Sequence, residues 1–152
     1  MPPEPADALR RLADLLRDED SPISPHVVDP TEEPTLGLRA AAGPRAASAP
    51  AEYALVVESV REGYLLHYGE PRLLSGHDDD LALLAGDYLY ALGLERLAAL
   101  GDAEAVRVLS DLISGCAQLH AEDREDGAEE LWRRSVEAIA GRPPGRASPP
   151  GA

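Results

Sequence analysis

The chain has 152 residues, enough for one domain with one core, and carries 28 acids against 14 bases, a net charge of -14. Every base is arginine; lysine, asparagine and phenylalanine are absent. That balance argues against nucleic acid, whose phosphates demand a basic patch, and against adsorption to an anionic membrane surface. The missing lysines rule out Schiff-base chemistry and a P-loop lysine.

Proline sets the organisation. Of the 14 prolines, all but Pro71 fall within residues 1–50 or 143–150. Helices tolerate proline poorly beyond their first turn, so the helical core is expected within 51–141. Residues 1–50 then read as a short N-terminal helix plus a Pro-rich arm, and 142–152 as a disordered tail. Met1-Pro-Pro-Glu-Pro lacks the basic and apolar regions of a signal peptide, so the expected location is cytoplasmic.

In chain order, Ala6–Arg17 places Leu9, Leu12, Ala13 and Leu16 at helical spacing. Ser21–Pro50 has the composition of a loop or extended arm, with Val27, Val28, Leu36 and Leu38 available to pin it. Ala51–Tyr68 carries Tyr53, Val57, Val60, Tyr64 and Tyr68 at steps of three or four, a buried face. Gly69-Glu-Pro71 ends it. His77-Asp-Asp-Asp80 is an acidic start to Leu81–Leu100, since carboxylates suit the positive end of a helix dipole. Asp102 caps Ala103–His120, whose stripe is Ala105, Leu109, Leu112, Cys116 and Leu119. The short connection at Gly101-Asp102 implies antiparallel neighbours. After the acidic stretch Glu122–Glu130, Leu131–Ala140 presents Leu131, Trp132, Val136 and Ile139. No internal repeat is present. The fold class is an all-α bundle.

The run Leu81–Leu94 contains a single charged side chain, Asp87. It is too short to span a bilayer, which needs about 20 apolar residues, so it reads as a helix buried on most of its circumference. Asp87 then requires either a buried donor or something arriving from outside the chain, because an unpaired buried carboxylate is costly. Gly86 and Gly93 strip side chain from the helix surface and invite close approach of another backbone.

Chemical constellations are sparse. The single cysteine, Cys116, allows no internal disulfide and no Cys-based zinc site, and reads as a buried thiol. His77–Asp80 reads as a solvated helix cap rather than a metal site, because consecutive side chains at a helix start splay apart. His67, His77 and Asp78, with a later acid such as Asp111 or Asp123, form a faint pattern of a metal-dependent phosphohydrolase. No serine sits on a strand-to-helix elbow, and no base adjoins Cys116.

Leu81–Leu119 resembles one family. The run L-A-L-L-A-G-D-Y-L-Y-A-L-G-L-E-R-L-A, then V-R-V-L-S-D-L-I, is similar to the middle helices of trans-polyprenyl diphosphate synthases. Ala85, Gly86, Asp87, Tyr88 and Leu89 match directly, as do Leu97 and Ala98. The resemblance implies a helical bundle of truncated isoprenoid synthase type. Family catalysts hold Mg²⁺ with two Asp-rich motifs; where the first would lie, Val56–Glu62 offers only Glu58 and Glu62, and no second motif follows. The chain therefore looks like the small, catalytically silent subunits of heteromeric hexaprenyl and heptaprenyl diphosphate synthases.

That resemblance implies no catalytic, cofactor or metal residue in this chain, with Mg²⁺ on the partner. It further implies docking on a full-length catalytic subunit, influence on prenyl chain length, and supply of a quinone side chain. Gly86, Asp87, Tyr90 and Gly93 are the expected partner-interface residues. The alternatives are a homodimeric helical interaction protein and the phosphohydrolase.

Overall fold

The computed structural model describes residues 2–142, so the tail expected at 142–152 lies, apart from Arg142, outside the described residues. The described residues form α1 (Ala8–Asp18), α2 (Thr35–Ala41), α3 (Pro50–Tyr68), α4 (Asp79–Ala99), α5 (Ala103–Ala121) and α6 (Asp126–Ala140). Single turns of 3-10 helix at Pro5–Asp7, Ser24–His26 and Pro44–Ala46 join them. The all-α expectation holds.

The bundle is built around α3. Pro50 starts this helix, where a missing N–H costs nothing. Every residue from Tyr53 to Val60 is buried, so no side of the helix meets water along that stretch. One cluster joins α3 through Leu55 and Leu66 to Leu9, Leu12 and Leu16 of α1 and to Ala85 and Leu89 of α4. A second joins Tyr53, Val57, Val60 and Tyr64 to Leu109, Leu112 and Cys116 of α5 and to Trp132, Val136 and Ile139 of α6. α4 packs most extensively on α3 and only lightly on α5.

The Pro-rich segment differs from expectation. It contains α2, whose Gly37, Ala40 and Ala41 are buried, and which packs on α3 and α6. Val28 N–H donates to Leu73 O at 2.8 Å and Ser75 N–H to His26 O at 2.9 Å, tying residues 26–28 to 73–75. Residues 8–28 and 34–49 are thus part of the packed body, joined by a mostly exposed stretch at 29–33. α6 likewise begins five residues before the expected Leu131, at Asp126. Its acids suit a helix's first turn as well as they suit a linker.

Because its only basic side chains besides histidine are arginines, the chain ties helices together with forked ion pairs. Arg39 grips Glu137 through Nε and Nη2 at 3.0 and 2.9 Å, linking α2 to α6. Arg61 grips Glu129 at 3.1 and 2.7 Å, linking α3 to α6. Arg96 grips Glu52 at 2.6 and 3.1 Å, linking α4 to α3. The planar guanidinium matches a carboxylate in this two-bond mode.

Candidate functional site

The α4 segment starts as expected: Asp78 accepts the Leu81 N–H at 2.8 Å, so the acidic run is a helix cap. Gly86 and Gly93 do mark a close helix contact, but the contact is with α3 of the same chain. A Cβ on Gly93 would come within 2.6 Å of Val60 Cγ2, and one on Gly63 within 2.8 Å of the Gly86 carbonyl. A Cβ on Gly86 would collide with the His67 ring. The Ser59 hydroxyl donates to Leu89 O at 2.7 Å across this seam. Both glycines are buried there and offer no surface to a partner.

Asp87 is not buried. Its side chain is 73% exposed, so burial on most of the α4 circumference is corrected. Its Oδ1 lies 3.1 Å from His67 Nε2, an ion pair whenever the imidazole carries a second proton, though off hydrogen-bond geometry. Tyr90 is half-buried and stacks on His67, centroids 5.2 Å apart and rings within 4° of parallel. Burial raises the Tyr90 hydroxyl pKa well above its ordinary value, with nearby Tyr68, Cys116, Tyr64 and Asp87 adding to it. Tyr68 stacks on His120 at 4.0 Å, and the Tyr64 hydroxyl meets His120 Nε2 at 2.8 Å. Of the four expected interface residues, only Asp87 and part of Tyr90 face outward.

Around Asp87 the outer face of α4 is apolar. Leu83 and Leu84 are 51% and 54% exposed, and Ala91 and Ala98 are exposed along the same side. Their spacing puts all four on one outward arc with Asp87 at its centre. The face runs into an apolar depression of about 270 Å³ at the α4–α5 turn, lined by Ala98, Gly101, Ala103 and Val106. Gly101 makes that turn possible with φ of 79°.

The buried charges lie on α3 instead. Glu58 and Glu62 are both 0% exposed. Glu58 Oε1 accepts from Arg72 Nη1 at 2.7 Å and Oε2 from the Gly37 N–H at 2.7 Å. Glu62 Oε1 accepts from Arg72 Nε at 2.8 Å, and its Oε2 from the Arg72 and Leu73 N–H groups at 2.7 and 2.8 Å. Burial works against the Arg72 cation, but the two carboxylates outweigh it and raise its pKa. All four carboxylate oxygens already accept at least one hydrogen bond, and the Arg72 guanidinium occupies the place between the two carboxylates that a divalent ion would take. The clamp was not evident in the sequence; its one visible signal is Glu58 and Glu62 a turn apart in a valine-rich helix.

Other chemistry finds little support. Among the described residues, no three His, Cys, Asp or Glu side chains stand in a metal-holding group. His67 and His77 line one cavity of about 640 Å³, but Asp111 is turned to Arg107 on its own helix at 3.1 Å. The phosphohydrolase pattern is not assembled. Cys116 is buried, and burial pushes its thiol up to about 11, the opposite of an activated nucleophile. No helix among the described residues is long and apolar enough to cross a membrane. Comparison of the chain with known protein families, curated proteins and solved structures finds no match.

Proposed function

We propose that this chain is a cytoplasmic, non-catalytic accessory subunit of a polyprenyl diphosphate synthase that docks on a full-length catalytic subunit. The observation that carries the reading is the outward face of α4. The helix bearing the Ala85–Leu89 resemblance leaves Leu83 and Leu84 half exposed, as an unpaired interface would. Interfaces of lasting complexes resemble a domain core cut in half, and this face has that composition.

The clamp on α3 supports the absence of chemistry. Glu58 and Glu62 occupy the stretch where the resembled catalysts hold Mg²⁺, and here Arg72 and backbone N–H groups take every oxygen. The residues present do not fit the metal. The adjoining cavity of about 310 Å³ is edged by Glu32, Glu33 and Glu70, and the two arginines that line it are already paired, Arg61 with Glu129 and Arg72 with Glu58 and Glu62, so an incoming diphosphate would meet net negative charge. Mg²⁺ and both substrates therefore belong to the partner. This chain contributes to prenyl chain length by bearing on it, and the product supplies a quinone side chain.

Coexpression with a full-length prenyl synthase encoded nearby tests the reading. The two chains should copurify, and Leu83→Glu with Leu84→Glu should separate them. The chain alone, given an allylic diphosphate, isopentenyl diphosphate and Mg²⁺, should show no turnover. Turnover by the pure chain would overturn the proposal.

A further inference from the structure

The charges on α4 narrow the chemistry of whatever covers it. Asp79, Asp80, Asp87 and Glu95 are its acids, and Arg96 is its only base. Arg96 is turned inward to Glu52 of α3. Among the described residues, Asp87, amid Leu83, Leu84 and Ala91, is paired with no arginine and has the His67 ring beside it. A partner surface that buried those leucines would desolvate Asp87 as well, and an uncompensated carboxylate there is costly.

A second copy of this chain meets that cost badly. Asp87 lies near the middle of Asp79–Ala99, and a two-fold pairing that buries Leu83, Leu84 and Ala91 with its axis crossing the middle of the helix sets the two copies of this acid close together. Two Asp87 carboxylates would then approach across the axis, with Asp80 and Glu95 of both copies on the same helices and no outward cation on α4 to offset them. Like charges so placed oppose association. The net charge of -14 acts in the same direction.

We propose that the outer face of α4 receives an apolar helix of a different protein, flanked by arginine or lysine, with one cation placed against Asp87. This rests on the docking reading above and adds the sign of the partner's charge. The apolar depression at the α4–α5 turn gives such a helix a seat for one further aliphatic side chain.

Two synthetic helical peptides of about the length of α4 test the inference. They share one Leu/Ala face and differ only in flanks, arginine in one and glutamate in the other. Binding to the full chain is read by fluorescence anisotropy at low and high salt, with the oligomeric state followed by sedimentation. The chain should be monomeric and bind the arginine-flanked peptide at least about tenfold more tightly, the difference shrinking in salt. Asp87→Arg should reverse the preference without loss of helix, and Leu83→Glu/Leu84→Glu should remove binding of both.

Equal binding of the two peptides, binding of neither, or a chain dimer broken by Leu83→Glu would each overturn the inference. None of these outcomes depends on the partner being a prenyl synthase. Failure here with successful copurification would remove the charge assignment alone. Success here without copurification would remove the synthase.

Discussion

Arg72 is the residue on which most buried charge depends. It stands between two fully buried carboxylates and fixes the 69–77 loop to α3. Arg72→Ala should leave Glu58 and Glu62 without their cation and cost about 3–5 kcal/mol, read as a large drop in melting temperature. Arg72→Lys should restore little, because an ammonium cannot reproduce the bonds from Nη1 and Nε to two different carboxylates. Asp87 should behave in the opposite way. With its side chain 73% exposed, Asp87→Asn should shift stability by no more than about 0.5 kcal/mol, like Asp79→Asn. Parallel melts of the two variants check this, and a clearly larger loss in Asp87→Asn would show that the His67 contact carries real stability. The sequence suggested a different allocation, with Asp87 inside and Glu58 and Glu62 only an incomplete match to a metal-binding motif. Burial of a charge is decided by what reaches it, and Arg72 and Gly37 reach Glu58 from 14 and 21 residues away.

At the level of the helices, period and caps were legible and exposure was not. The expected Ala51–Tyr68 and Ala103–His120 match α3 and α5 within a residue at each end, because a 3.6-residue apolar period is a local signal. Asp78 and Asp102 cap as expected, accepting the Leu81 and Ala105 N–H groups at 2.8 and 3.0 Å. The roles of α3 and α4, however, are exchanged. The charged α3 lies at the centre and the apolar α4 shows one face to solvent, since apolar residues are buried only where some surface exists to cover them. α2 was hidden by the prolines around it; it forms because it packs on α3 and α6, and so short a helix would not form alone. The glycines of α4 give the test at this scale. Gly86→Leu should unfold or strongly destabilise the isolated chain, because the added side chain runs into His67 and the Gly63 backbone of α3. Circular dichroism during a denaturant titration reads the result. A variant that stays fully stable would mean that α4 can lift away from α3 at little cost.

In the molecule as a whole, Glu52 joins three helices and should respond to acid. Its carboxylate takes Arg96 of α4 in two bonds and lies 3.5 Å from Arg11 of α1. Burial alone would raise its pKa; the Arg96 hydrogen bond and charge, helped by Arg11, outweigh that and hold it below the ordinary 4.5. A carboxyl with a depressed folded pKa contributes stability that is present above its unfolded pKa and is lost as pH falls through the folded one. The contribution of this pair should therefore persist from neutrality to about 4.5 and decline below it. A second effect runs the other way. The chain's charge of -14 shrinks as its carboxylates protonate, and relief from self-repulsion favours the folded state over the same range. The melting temperature of the unmodified chain mixes the two, so it is the wrong readout alone. Glu52→Gln retains the global titration and removes only the local pair. Its melting temperature should lie below that of the unmodified chain at pH 7, and the gap should close as pH falls below 4.5. A gap independent of pH down to about 3, or no gap at pH 7, would mean that the charge of Glu52 is not what stabilises the fold.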